Sequence, residues 1–263
     1  MTTHPEELVS ARTEGRVAVV TLNRPGQMNA ISGALANRLT DRLREVARNS
    51  DAWVVVLAAA GERAFCVGAD LKERKAFSLE DFHRNRTSMR SMFGALRELP
   101  QPSIASTFGF TLGGGFELAL SCDLTVAADD TVFALPEARA GLIPAGGATQ
   151  LLTRAAGPRV AKEMIFTGRR FDAQRAKEIG LVVDVVGRAD LAGATMALAN
   201  EVCGSSPVAV REAKGAVDAA MGVPLGDGLE LENDAWRRTV GSEDRAEGIA
   251  AFNEKREPRW RNR

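Results

Sequence analysis

Residues 103–127 read SIASTFGFTLGGGFELALSCDLTVA, and the order of residue types in this stretch decides the fold. Residues 103–110 are apolar and partly β-branched, as a strand requires. Gly113-Gly114-Gly115 interrupts them with turn chemistry and opens a helix start at residues 116–121. Residues 123–127 (DLTVA) return to strand composition. Strand, glycine turn, helix and strand in close succession make up the unit of an α/β architecture with largely parallel pairing. The uncharged run over residues 99–116 is near membrane-spanning length. It holds Pro100, Pro102, Gly109 and the three glycines, which suit turns and strands better than a spanning helix.

The same alternation extends outward in both directions. Residues 16–22 (RVAVVTL) predict a strand closed by Asn23-Arg24-Pro25-Gly26, and Leu35, Leu39, Leu43 and Val46 mark an amphipathic helix over about 30–48. Residues 53–58 (WVVVLA) read as a buried strand, followed by a loop through Gly68, a charged stretch over 72–90 and helix to Leu99. Residues 156–166 and 173–179 predict helices and 181–186 a short strand. Beyond Arg188 the pattern is almost wholly helical, over 190–202, 207–221, 227–240 and 242–254, with Ser242 as the N-cap of the last. The shift in composition divides the chain into a core over residues 1–195 and a helical C-terminal module over 196–263, which packs on its own core or on a neighbour's.

The chain has 263 residues, and its 34 Lys and Arg balance 34 Asp and Glu to a net charge of zero. No basic field is present to drive binding to nucleic acid or an anionic membrane. Cys66, Cys122 and Cys203 form neither a metal pattern nor a disulfide framework, which fits a reducing, cytoplasmic setting. Residues 1–10 are polar and acidic, unlike a signal peptide. The two histidines, His4 and His83, lie in a polar tail and a charged stretch, so a Ser/His/Asp triad or a His metal site lacks parts.

Three clusters can carry chemistry. The glycines at 113–115 let a backbone approach a ligand and leave N–H groups free to hold an oxyanion, or they serve only a tight turn. Residues 64–70 (AFCVGAD) follow a strand at the end where α/β proteins bind ligands, or form an ordinary connecting loop. Glu117 and Glu137 both lie in apolar frames. They either share general acid and base work in one low-dielectric site, or one is ion-paired and the other exposed beside Arg139. Cys66 reads as a packed thiol. Gly146-Gly147 with Thr149 reads as a helix-start loop lacking the Gly-Lys-Ser/Thr ending of a phosphate loop.

Taken jointly, these stretches resemble the enoyl-CoA hydratase/isomerase (crotonase) superfamily. The resemblance is carried by Leu22-Asn-Arg-Pro with Asn29-Ala30, AFCVGADLK over 64–72, GGGFELALSCD over 113–123 and FALPEARAGLIPAGGATQ over 133–150. It continues through FTGRRF over 166–171, AKEIGLV over 176–182 and EGIAAFNEKR over 247–256, so it spans about 15–260. It implies a crotonase-like spiral of strand-strand-helix repeats with a helical C-terminal module, assembled as a homotrimer or a dimer of trimers. The implied substrate is an acyl-CoA thioester, with coenzyme A as part of the substrate and no metal or redox cofactor. By motif position Ala69 and Gly114 supply the oxyanion-hole amides. Gly68, Asp70 and Leu71 border the coenzyme, Arg24 and Met28 line its channel, and Phe252 and Lys255 reach a neighbouring subunit's coenzyme. Residues 73–98 shape the acyl pocket.

The family's two hydratase acids fall on Glu117 and Glu137, implying reversible addition of water to a 2-enoyl-CoA. Double-bond isomerisation, a carnitinyl-CoA dehydratase-like reaction and non-catalytic acyl-CoA binding are the alternatives. One departure stands out. Many hydratases read Pro-Gly-Ala-Gly-Gly-Thr-Gln-Arg where this chain has Pro144-Ala-Gly-Gly-Ala-Thr-Gln-Leu151. The added methyl groups of Ala145 and Ala148 are expected to narrow the acyl pocket or shift the water.

Overall fold

A computed structural model describes residues 8–263, so His4 and most of the polar segment 1–10 lie outside the described residues. The chain begins with a hairpin, β1 (Val9–Glu14) and β2 (Val17–Leu22), followed by α1 (Gly33–Ala47) and β3 (Val54–Ala59). Next come α2 (Leu71–Arg74), α3 (Leu79–Arg97), β4 (Ser103–Thr107), β5 (Phe110–Leu112), α4 (Gly114–Leu120), β6 (Leu124–Ala128) and β7 (Val132–Ala134). They are followed by α5 (Ala148–Thr167), β8 (Phe171–Asp172), α6 (Ala173–Glu178) and β9 (Asp184–Val186). Four helices end the chain: α7 (Leu191–Cys203), α8 (Pro207–Ala220), α9 (Leu225–Val240) and α10 (Glu243–Glu254).

The strands form two sheets. One is six-stranded in the order β1-β2-β3-β4-β6-β9, antiparallel only at the hairpin and parallel elsewhere. The other joins β5, β7 and β8, and single bridges from Cys66 to Thr111 and from Ala64 to Gly109 extend it into the loop after β3. Successive turns therefore repeat: β3 with residues 64–66 and α2–α3, β4 with β5 and α4, and β6 with β7 and α5. This is the expected spiral of strand-strand-helix turns. The expected single strand over 103–110 is two strands, because Gly109, at φ +51°, turns the chain from one sheet into the other.

Burial follows the sequence pattern. In β2, β3 and β4 nearly every side chain is buried, as in parallel strands covered on both faces. Leu35, Leu39, Leu43 and Val46 form the buried stripe of α1, whose first turn is capped by Ser32 accepting from the Leu35 N–H. These helices and α7 enclose the main core. A second core gathers around Phe116, Phe133 and Leu152, where Phe116 and Phe133 lie 5.0 Å apart between ring centres. The charged stretch over 72–90 divides at Ser78, which forms a reciprocal capping box with Asp81 and starts α3 afresh.

Helix α7 contributes Leu191 and Ala199 to the main core, so residue 195 falls within an element packed on the large sheet. The chain end folds back on α10. Asp244, fully buried, accepts from the N–H groups of Arg261 and Asn262 and from the Ser206 hydroxyl. No helix among the described residues is long and apolar enough to cross a membrane, and the uncharged run over 99–116 is strand, turn and the start of α4.

Candidate active site

The spiral sets the loop after β3, the start of α4, the turn after β7 and one face of α3 around a single cavity of about 430 Å³. Gly68, Ala69, Gly113, Gly114, Glu117 and Glu137 all line it. The two glycine-bearing loops meet at its floor. A Cβ placed on Gly68 would stand 3.0 Å from the Gly114 amide nitrogen, and one placed on Gly114 would stand 3.9 Å from the Ala69 nitrogen. Gly68 itself has φ +86°, a conformation that suits glycine. The Gly68 carbonyl accepts from Ile31 and the Asp70 N–H donates to the Ile31 carbonyl, which fixes the peptide between them. The Ala69 and Gly114 amides donate to no group among the described residues. Two adjacent unengaged N–H groups on residues that line a cavity can hold a developing oxyanion.

Glu117 stands on α4 with only 3% of its surface exposed. One carboxylate oxygen, Oε1, accepts from three successive amides that open α5: Gly146 at 2.6 Å, Gly147 at 3.0 Å and Ala148 at 3.0 Å. The carboxylate thus caps a helix, and backbone amides take the place of the ion pair that a structural acid would need. Burial pushes its pKa up, the three amides and the charge of Arg86 oppose that rise, and the net direction is upward. Its other oxygen, Oε2, is 2.7 Å from where a Cβ on Gly146 would sit, and Phe93 is closer still at 2.4 Å, so only glycine fits there. Gly146-Gly147 is indeed a helix-start loop, and its amides also hold the acid, a role that its sequence did not announce.

Glu137 lies in a 3-10 turn over Pro136–Ala140. Its Oε2 is buried with no hydrogen-bond partner among the described residues, and Arg139 donates to the Thr167 carbonyl instead of pairing with it. Burial and the charge of Glu117 raise its pKa to about 7, against only its own backbone N–H pulling the other way. The two acids therefore share one cavity in unlike settings, one satisfied by amides and one left without a partner, as a division of acid and base work requires.

The remaining expected residues are placed as follows. Leu71 is 69% exposed at the cavity wall. Asp70 is buried and caps α2, accepting from Lys72, Glu73 and, at 2.6 Å, the Arg24 guanidinium. Burial acts to raise its pKa, but the hydrogen bonds and charge of Arg24 hold it below the usual value. Arg24 also donates to the Ala30 carbonyl. Neither Arg24 nor Met28 lines this cavity. Met28 has φ +51° and closes the turn after Pro25. Phe252, 83% exposed on α10, and Lys255 at its C-terminus also lie outside it.

Cys66 is fully buried and its thiol is pushed up to about 12, which makes it a packed side chain, and His83 is exposed on α3. Ala145 faces the cavity and Ala148 is buried at the α5 start. The α3 wall supplies Phe82, Asn85, Arg86, Met89 and Phe93, and Arg74 joins them from α2. The individual side chains of that wall carry no motif, and only their helical spacing of three and four would have put them on one face.

The profile of the enoyl-CoA hydratase/isomerase family matches residues 12–263. A Bacillus subtilis relative named as an enoyl-CoA hydratase/isomerase is 42% identical over 240 residues, covering 91% of this chain and 92% of its own. The short-chain-enoyl-CoA hydratase of Clostridium acetobutylicum is 36% identical, covering 92% and 93%. The crystal structure of an enoyl-CoA hydratase from Bacillus anthracis superposes with a TM-score of 0.95 at 39% identity, over 97% of this chain and 100% of that one. The spiral, the paired amides and the two acids thus stand in a chain that belongs to the enoyl-CoA hydratase/isomerase family.

Proposed function

We propose that the protein is a hydro-lyase that adds water reversibly across the double bond of a 2-enoyl-CoA. The observation that carries this reading is the pair of acids, Glu117 and Glu137, in one cavity beside the Ala69 and Gly114 amides. The thioester carbonyl oxygen sits between the two amides, which stabilise the negative charge it gains as the enolate forms. Glu117, held in place by three amides, orients a water and takes its proton while the oxygen bonds to the β carbon. Glu137, whose carboxyl is about half protonated near neutrality, delivers a proton to the α carbon as the enolate collapses. Return of the proton from Glu117 to Glu137 resets the site. An isomerase needs only one acid to carry a proton between two carbons, so a second carboxylate in the same cavity, bound to amides through Oε1 alone, favours hydration.

The same reading makes coenzyme A part of the substrate and calls for no metal or redox cofactor. It places Leu71, Asp70, Arg24 and Met28 along the coenzyme, and it treats residues 196–263 as an assembly module that brings Phe252 and Lys255 to a neighbour's coenzyme in a trimer or dimer of trimers. Three free cysteines suit a cytoplasmic setting. The test is hydration of crotonyl-CoA followed by loss of the conjugated absorbance. Glu137→Gln and Glu117→Gln should each lower kcat by roughly 10²–10⁴-fold. Near-wild-type hydration by both variants, or wild-type turnover of 3-enoyl-CoA in preference to crotonyl-CoA, would overturn the assignment.

A further inference from the structure

The wall opposite the paired amides carries more positive charge than the proposed chemistry uses. Arg74 and Arg86 both line the cavity. Among the described residues neither forms an ion pair, and the only side-chain hydrogen bond of the two runs from Arg74 to Asn85 Oδ1 at 3.1 Å. Glu73, whose charge Arg74 feels, turns its own carboxylate to the Gly33 N–H at 3.0 Å. The other cavity arginine, Arg139, donates to the Thr167 carbonyl.

Arg74 and Arg86 are close enough for each charge to act on the other. Burial and the charge of Arg86 together push the Arg74 pKa down. Arg74 is half-buried and Arg86 exposed at the cavity, and two neighbouring cations that form no ion pair offer a charge that an anion entering the cavity would balance. A cavity built only for a hydrocarbon chain would present apolar side chains at these positions.

We infer that Arg74 and Arg86 form a carboxylate subsite in the acyl pocket, so that the preferred acyl group carries a second, terminal carboxylate. The inference rests on the hydratase reading for its placement of the thioester at Ala69 and Gly114, with the acyl chain running along α3. Phe93, beside Glu117, and Arg86 are two helical turns apart, roughly 10 Å along the axis. An arginine reaching back from that distance meets the far end of a short acyl chain while its α and β carbons stay at the two acids. A guanidinium fork matches a carboxylate in shape and charge, and the Asn85 amide beside Arg74 helps hold that fork in place.

Calorimetric binding of two saturated thioesters, glutaryl-CoA and pentanoyl-CoA, tests this without requiring turnover. The two share the coenzyme and differ at the chain end, so any contact of either arginine with the coenzyme phosphates cancels in the ratio of their Kd values. The wild-type protein should bind glutaryl-CoA at least tenfold more tightly. Arg86→Gln and Arg74→Gln should each reduce that ratio several-fold, and the double variant should bring it to one or below. Equal affinities in the wild type, or a preference that survives in the double variant, would overturn the subsite. Hydration of glutaconyl-CoA measured alongside separates the two readings. A binding preference without turnover would count against the water chemistry and leave the carboxylate subsite standing, whereas turnover of crotonyl-CoA with no binding preference would do the reverse.

Discussion

Glu137 stands in the cavity at a cost in stability. Its carboxyl is raised from an ordinary 4.5 to about 7, chiefly by burial and then by the charge of Glu117. The folded protein therefore binds this proton more tightly than the unfolded chain does. Between those two values folding takes up a proton, so stability is fullest below about 4.5 and declines as pH rises through about 7. Above that range the ionised acid is held in a partly dry site with one oxygen unpartnered. Replacing Glu137 with Gln removes the charge and keeps the shape. Calorimetry should find the Glu137→Gln variant more stable than the wild type at pH 8, by about 2–4 °C in Tm, with the gap closing at pH 5. A gap of the opposite sign at pH 8 would mean that the carboxylate is welcome in its site. That both acids belong to one cavity was legible from the chain itself: an acid in an apolar frame needs a reason, and Glu117 and Glu137 both stand in such frames and both line the cavity. What the chain could not reveal is that they differ, since the three amides on Glu117 come from residues 146–148, and only folding brings them to it.

At the scale of elements, those amides tie the chemistry to the secondary structure. Helix α5 has no side-chain cap from its own N-cap residue, Gly147, and the carboxylate of α4 serves instead. Glu117→Ala leaves buried N–H groups at Gly146 and Ala148 without an acceptor, and each such group costs on the order of 1–3 kcal/mol. Glu117→Gln retains an oxygen in place. Urea denaturation should therefore show a loss of about 2–4 kcal/mol for Glu117→Ala and under about 1 kcal/mol for Glu117→Gln, with hydration impaired in both. Equal stability of the alanine variant and the wild type would remove the capping role. The elements that sequence reading missed each lack the signal that marks their kind. Strand β1 buries only Val9 and pairs along its edge with β2, so no alternation of apolar residues marks it. Strands β7 and β8 span three and two residues, too short for any period to register. Gly157, at φ +82°, divides α5 into two helices; the second, over 158–167, matches the expected 156–166, and the first, opening at Ala148, is the one that went unread. By contrast, α1 and α7–α10 have bounds within a few residues of expectation, because each is long and, in α1, α8 and α10, opens on a serine cap.

On the scale of the whole molecule, the C-terminal helices carry an exposed apolar face. Leu225, Leu229 and Trp236 on α9 are 80%, 52% and 61% exposed. Spaced by four and eleven residues, they fall on one side of an α-helix at 100° per residue, and a stripe of large apolar side chains in water is the kind of surface that assembly would cover. Phe252 on α10 and Phe166 at the end of α5 are exposed to a similar degree. The spiral therefore satisfies its own core while leaving its helical end unfinished, as a chain that folds alone and then assembles would. Light scattering should give a mass of three or six chains for the wild type. The pair Leu229→Glu and Trp236→Glu, which touches neither the acids nor the paired amides, should shift that mass toward one chain. If Phe252 and Lys255 complete a neighbour's coenzyme site, the dissociated variant should also bind acyl-CoA more weakly, by a factor of ten or more. A wild-type mass of one chain would sink the assembly reading. A dissociated variant with unchanged acyl-CoA affinity would keep the assembly and confine the coenzyme site to a single chain.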